Sequence, residues 1–524
     1  MMQPRPDSIC VSTSLWRSAP AAIAVVAVLL FASANAASQT ASDPGIRGVA
    51  WCKTCPNGAG EFVSIAAGDS ADLNSYQQEL EVPMTNFIEE VNIVAGGNAV
   101  KRVGLGGTFD SNGCTACHDY PAAGGSSLLS NPLFNVYQLM GAQNTMPFFE
   151  APSGPTVVAR FPYQSDMVTP DGHVHQLFTI TGRTDAGTCT IQQPDFNTAS
   201  NENNLIFRQT TPFFGGGLIE IINDSDIIAN MSANLTEKMM LGISGNANTS
   251  GDDGSVTRFG WKAQKRSLIL FAGEAYNVEE GIDNEFFPNK LNETPGCTPP
   301  FPLGPPNGNG TQGVPDDRTD WADPAKAVGY LMPGDPERFG IFGRFLAGPV
   351  PSTSSGVYGA GPSAGCPKST NNGESCVNGQ TQFDSIGCVL CHLGAVGTVA
   401  GVTPFTTPQS SIAALSNVQV DLFSDLLVHH MGACDADNIT QGQATGDEFR
   451  TAPLWGVGQR AFFMHDGGLN RHGVANTNIV KAVEDHYCDA SGQYGASEAN
   501  GVVDAFNKLT PKNQQDLINF LRTL

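Results

Sequence analysis

The decamer FDSNGCTACH, Phe109 to His118, recurs as FDSIGCVLCH, Phe383 to His392, with seven of ten positions identical. Each copy ends in C-x-x-C-H: Cys114, Cys117 and His118 in the first, Cys388, Cys391 and His392 in the second. In that pattern two thiols add across the vinyl groups of a haem, and the adjacent imidazole becomes the proximal iron ligand. A bare C-x-x-C suits a disulfide or half a zinc site equally well. Two C-x-x-C-H copies in matching context select the haem reading. The chain is therefore expected to carry two covalent haem c groups, and its fold must enclose two flat, largely apolar cofactors.

The N-terminus agrees with that chemistry. Arg5 and Arg17 precede an apolar run from Ala19 to Ala36, which closes on Ala34-Asn35-Ala36. A charged segment, an apolar core and a small-x-small ending describe a cleaved signal peptide over residues 1–36. The core is short for a membrane span of about 20 residues. No Cys follows the cleavage point, so lipidation is not expected. Covalent haem and export together point to the periplasm. Lys and Arg number 27 against 50 Asp and Glu, a net charge of −23. So acidic a surface argues against nucleic acid and anionic membranes and favours basic or neutral partners. With 59 Gly and 34 Pro, much of the chain is expected to be loop wrapped around cofactors.

Of thirteen cysteines, Cys10 leaves with the leader and four hold haem. Cys52, Cys55, Cys189, Cys297, Cys366, Cys376, Cys434 and Cys488 remain, an even set that an exported protein places in disulfides. Cys366 and Cys376 share a Gly/Ser/Asn-rich loop and could pair with each other. WCKTCPNG, Trp51 to Gly58, resembles a thioredoxin-type motif. No strand–helix pattern surrounds it and Pro56 stands where a haem-ligating His would be, so a structural bridge is the preferred reading.

Pro/Gly/Asn-rich stretches at Thr294–Asp317 and Gly348–Gly373 interrupt the chain and cannot hold regular structure for long. They divide it into an N-terminal haem domain with an extension, 37–345, and a C-terminal cytochrome c domain, 346–524. At the C-terminus, Thr510 is an N-cap with Pro511 at the first helical position, and Leu517, Phe520, Leu521 and Leu524 share one apolar face. A second helix is expected over Val418–Met431, with Val420, Phe423, Leu426 and Leu427 inward. Few alternating runs suggest strands. The class expected is mainly α with extensive irregular chain, in two cytochrome c-like domains with one covalent haem each.

The segments VGLGGTFDSNGCTACHDYPAAGG, VHQLFTITGRTDAG, PFFGGGLIEII, RFGWKAQKRSLILFAGEAYNVEEGI, SDLLVHHMG and FRTAPLWGVGQRAFFMHDGG follow in this order. Together they resemble the bacterial di-haem oxidoreductases labelled thiol oxidoreductase-like, relatives of the di-haem cytochrome c peroxidases. The resemblance runs from about Val103 to Leu524. It implies that one haem meets peroxide while the other stores or relays an electron. That pairing suits a two-electron reaction served by one-electron donors. Expected partners are a small-molecule oxidant, peroxide foremost, and a small cytochrome or cupredoxin as donor. Ca2+ is a further candidate cofactor.

The resemblance also assigns residues. His486, in IVKAVEDHYC, falls where the peroxidases carry a methionine ligand, so it is expected on the distal side of the C-terminal haem, with Met464 as the competitor. His for Met lowers the reduction potential. His465 and Asp466 are expected to organise the turn and a haem propionate. SLILFAGEAYNVEEGI parallels the segment with a catalytic glutamate near the N-terminal haem. Glu280 is the best match and Glu279 its neighbour. A carboxylate there can move a proton between peroxide oxygens. His173 and His175 are alternative distal imidazoles, and Trp261 and Trp455 are candidates to lie between the haems. Two other classes stay open: a pure electron-transfer cytochrome and an oxygen-dependent di-haem dioxygenase.

Overall fold

The computed structural model describes residues 41–43 and, apart from 288–334, 361–375, 395–401 and shorter interruptions, residues 105–524. Residues 1–36, Cys52, Cys55, Cys297, Cys366, the 294–317 insert and most of 348–373 lie outside the described residues.

Twelve helices occur among the described residues, most of them short. In chain order they are α1 Leu133–Val136, α2 Phe196–Asn201, α3 Gly216–Glu220, α4 Asp224–Ser232, α5 Leu235–Leu241 and α6 Leu268–Glu280. After the long insert come α7 Asp335–Phe345, α8 Cys376–Ser385, α9 Leu469–His472, α10 Ile479–Asp485, α11 Asn500–Lys508 and α12 Pro511–Leu521. The strands form only two-residue to four-residue antiparallel pairs. Thr108–Phe109 (β1) pairs Phe178–Thr179 (β3), and Val157–Arg160 (β2) pairs Ile206–Gln209 (β4). Ser355–Gly356 (β5) pairs Gly359–Ala360 (β6), and Phe405–Thr406 (β7) pairs Gln419–Val420 (β8). Val428–His430 (β9) pairs Glu448–Arg450 (β10). The architecture is mainly helical with small sheets and long irregular connections, as composition suggested.

The closing helix follows its local signals. Thr510 accepts from Asn513 N through its hydroxyl at 3.2 Å, Pro511 opens α12, and Leu517, Phe520, Leu521 and Leu524 are all buried. It packs on α8, the helix that leads into the second decamer. At that crossing a Cβ on Gly379 would stand 2.0 Å from the Asp516 carbonyl oxygen, so only glycine permits the approach.

The segment 418–431 is not a helix. Val420, Phe423, Leu426 and Leu427 are buried as expected, but between β8 and β9 the chain is a loop, with Phe423 at φ 55° and Leu426 at φ 61°. Side chains take over the hydrogen bonds that a helix would make. Asp425 Oδ1 accepts from Leu427 N, Ser424 Oγ accepts from Leu426 N, and the Ser424 hydroxyl donates to Thr451 O. Ser and Asp compete with helical bonding in this manner, and β9 is then claimed by pairing with β10.

Two hydrophobic clusters hold the two decamers. Phe109 sits in one with Leu105, Leu133 and Phe178, and Cys117 packs against it. Phe383 sits in a larger one with Phe423, Leu517 and Phe520, against which Cys388 and Cys391 pack. The larger cluster also takes Ile219, Ile243 and Phe259 from the N-terminal half.

Candidate functional site

The two C-x-x-C-H motifs adopt the same local backbone. Each opens on a 3-10 turn, Cys114–Ala116 and Cys388–Leu390. In both, the His N–H donates to the first Cys carbonyl, at 2.8 Å for His118 and 2.9 Å for His392. At the second motif both thiols and the imidazole line one cavity, whereas at the first Cys114 and Cys117 line different cavities with His118 in both. Their phenylalanines anchor the decamers by burial, so the shared letters outside C-x-x-C-H have a packing role.

Each motif borders a cavity. Around the second, a cavity of about 220 Å³ is lined by Cys388, Cys391, His392, Met464, His465 and His486, with an otherwise mainly apolar wall. Around the first, His118 faces two smaller cavities. One, about 60 Å³, is shared with Cys114, Phe271, Tyr276, Glu279 and Glu280. The other, about 80 Å³ and more polar, is shared with Cys117, Asp110, Arg160, Glu274 and Glu279. A fourth space of about 30 Å³ is lined by Phe213, Phe271, Trp261, Trp455, Arg450 and Arg460. Trp261 faces both the 220 Å³ cavity and the more polar one beside His118, with its indole N–H donating to Gln209 O at 2.8 Å. Trp455 faces only the smallest of these four cavities.

The histidines are held in defined tautomers. His118 Nδ1–H donates to Gly125 O at 3.3 Å, and His392 Nδ1–H to Phe423 O at 3.0 Å. His486 Nδ1–H donates to Ala482 O at 2.7 Å, one turn back on α10. A ring whose Nδ1–H is bound to a carbonyl keeps Nε2 unprotonated, the state a metal requires. Burial pulls the pKa of His118 and of His392 down to about 4, and lowers that of His486 as well. All three imidazoles are therefore neutral at pH 7. α10 is fixed at its start by Asn478, whose side chain accepts from Val480 N and Lys481 N. Near its end, Asp485 accepts from Asn476 Nδ2 and pairs with His472, each at 3.0 Å. Two residues past His486, Cys488 is bonded to Cys434.

Helix α6 brings the acid pair to the first motif. Ser267 Oγ accepts from Leu270 N at its start, and Gly281 at φ 71° ends it. Its last carbonyls are satisfied by the first decamer and its approach: Gly106 N donates to Glu280 O at 2.9 Å, and Asp110 N to Glu279 O at 2.6 Å. Glu280 is buried, with Oε1 3.9 Å from Cys114 Sγ. Glu279 faces both cavities beside His118, and burial, reinforced by the Glu274 charge, pushes its carboxyl up to about 7.

Other histidines have other places. His173 is exposed, and His175 stacks on Phe161 at 3.8 Å and pairs with Asp171, so neither lines the cavities beside His118. Asp466 accepts from Gly468 N and Asn470 N and so shapes its turn, while His465 stacks on Phe449 at the cavity wall. His429, which sequence reasoning left without a role, lies buried with Nε2 3.0 Å from Asp425 and Nδ1 2.8 Å from Glu498. Both nitrogens face carboxylates, so it is an imidazolium. Burial works against that charge, but Cys391 and Asp425 hold its pKa well above the ordinary value. Arg450 and Arg460 on the cavity walls were also missed. Their only signal is two cations in RTAPLWGVGQR within an acid-rich chain.

The thiols distinguish the sites from the rest of the chain. Cys114, Cys117, Cys388 and Cys391 are free, whereas Cys434 and Cys488 form a disulfide and Cys189 and Cys376 are also disulfide-bonded. Two free thiols and a neutral imidazole at each motif make the donor set of a covalent haem, and at the second motif all three line one cavity. No helix among the described residues is long and apolar enough to cross a membrane.

A search of curated proteins finds no match. A family profile described as "Di-haem oxidoreductase, putative peroxidase" matches residues 156–297 and 360–524, which is more than half of the chain. It takes in α6 with its acid pair, the second decamer and His486, and leaves the first decamer outside. On that match, together with the paired motifs, the chain belongs to the di-haem oxidoreductase family.

Proposed function

We propose that this protein is an exported, periplasmic di-haem c-type oxidoreductase of peroxidase type. Cys114 and Cys117 hold one haem covalently with His118 as its proximal ligand, and Cys388, Cys391 and His392 hold the other. The observation that carries the reading is the set of four unpaired thiols, each pair beside a neutral histidine and a cavity, where the other described cysteines are in disulfides. The N-terminal haem, in domain 37–345, is the reactive one, and the C-terminal haem, in domain 346–524, relays electrons from a small cytochrome or cupredoxin. When bound, the two groups supply a peroxide-binding iron and a one-electron store.

The chain's own residues do the rest. His486, with Nδ1 tied to Ala482 O on the cavity wall that also holds His392, is the distal ligand of the C-terminal haem. Held by His392 and His486, that group would supply electron storage, and the group held at His118 would supply the reactive iron. Glu280, at the end of α6 beside Cys114 and His118, accepts a proton from one peroxide oxygen and returns it to the other. Glu279, with its carboxyl raised to about 7, can hold the proton near neutral pH. Trp261 stands in the wall common to cavities of both motifs and is placed to assist electron passage between them.

The test is covalent haem content. Cys117→Ala and Cys391→Ala should each remove one of two haems on a haem-stained denaturing gel and in the pyridine haemochrome assay. Full haem content in either variant would refute the attachment.

A further inference from the structure

Arg450 is buried, and its Nε–H donates to Gly260 O at 2.9 Å. Arg450 and the half-buried Arg460 both line the 220 Å³ cavity and the 30 Å³ space beside it. Among the described residues no carboxylate pairs with either. Arg208, Arg258, Arg344 and Arg522, by contrast, each hold an Asp or Glu. The lack is notable in a chain with 50 acids and 27 Lys and Arg. A buried and a half-buried cation side by side without a counter-ion are costly in a low-dielectric interior. Burial brings both down to about 10, and for Arg450 the charge of Arg460 adds to that effect. Arginine forks match carboxylates in paired hydrogen bonds.

We infer that Arg450 and Arg460 form a carboxylate seat, filled by the two propionates of the haem held at Cys388, Cys391 and His392. This rests on the covalent-haem reading above. The rest of that cavity wall is mainly apolar, so a flat ring with two carboxylates on one edge matches it in one orientation. The propionate edge then faces the small space lined by Trp261, Trp455 and Phe271. Phe271 also lines both cavities beside His118. The seat thus turns the charged edge of the C-terminal haem toward the N-terminal site, and its two positive charges favour the reduced state of that haem.

The experiment is a spectroelectrochemical titration of the intact two-haem protein with Arg450→Gln and Arg460→Gln, haem content being counted in each. Both variants should keep two covalent haems. At a fixed potential, the C-terminal haem should move roughly tenfold toward the oxidised form, which is about 59 mV for a one-electron couple. Two haems with an unmoved potential in both variants would overturn the seat. A wild type without haem at Cys388 and Cys391 would instead overturn the underlying reading. If the Gln variants do not accumulate, Arg450→Lys and Arg460→Lys keep the charge but lose the paired donors. The propionate bending band in resonance Raman should then shift, and an unshifted band would overturn the seat. Acetate added at constant ionic strength should leave the wild-type potential unchanged. A saturable shift that disappears in Arg460→Gln would assign the seat to a free carboxylate and overturn the propionate assignment.

Discussion

His429 Nδ1 stands 2.8 Å from Glu498 Oε2 and 3.9 Å from Cys391 Sγ, and Nε2 of the same imidazole meets Asp425 at 3.0 Å. Glu498 also accepts from Ser244 N and Gly245 N, so it ties α11 to the chain after α5 and to the floor of the second haem site. Burial would raise its carboxyl, but the hydrogen bond and charge of His429 hold it down at about 2. A depressed carboxyl contributes stability that is present above its unfolded value near 4.5 and lost as pH falls toward 2.

Wild-type melting temperature should therefore fall over that acid range. Glu498→Gln should flatten the fall and cost about 1–3 kcal/mol at pH 7, because the buried His429 charge loses one of its two carboxylates and keeps only Asp425. Chemical denaturation at pH 7 and pH 3 checks both. An equal loss at the two pH values would show that the pair does not act through charge.

His486→Ala should convert one low-spin haem to high-spin and shift the potential of the C-terminal centre alone. The expectation follows from Nδ1 bound to Ala482 O, which leaves Nε2 free toward the cavity. Electron paramagnetic resonance of the ferric protein reads the outcome. An unchanged spectrum would pass the ligand role to Met464, which lines the same cavity.

The acid pair separates by substitution. Glu280→Gln should slow peroxide cleavage by about 10²–10⁴, the usual worth of a positioned acid–base group, with both haems retained. Glu279→Gln should do far less to the rate at its optimum. It should, however, alter the pH dependence near 7, where burial and Glu274 place its titration. Reversed effects would exchange the two roles.

The sequence exposed the two motifs, the closing helix and the family, because each depends on local letters. C-x-x-C-H is chemistry at fixed spacing, and Thr510-Pro511 sets a helix start by its own backbone. The apolar spacing around Phe423 and Leu426 suits a helix and this loop equally, so local letters alone predict a helix there. What decides it is distant: β9 pairing with β10, and Phe423 O receiving His392 Nδ1–H. His429 was invisible for the same reason, since its carboxylates Asp425 and Glu498 come from separate segments. The arginine pair shows itself only once the fold is seen, because no carboxylate among the described residues pairs with it.

The most direct measurement is a stopped-flow reaction of the one-electron-reduced protein with hydrogen peroxide, following both haems at once. A rapid change is expected at a high-spin, ligand-accessible N-terminal haem, coupled to loss of the electron from the C-terminal haem. Two low-spin haems that ignore peroxide would contradict it and leave an electron carrier. A stable dioxygen adduct, with turnover that needs no donor, would contradict it in favour of oxygen chemistry.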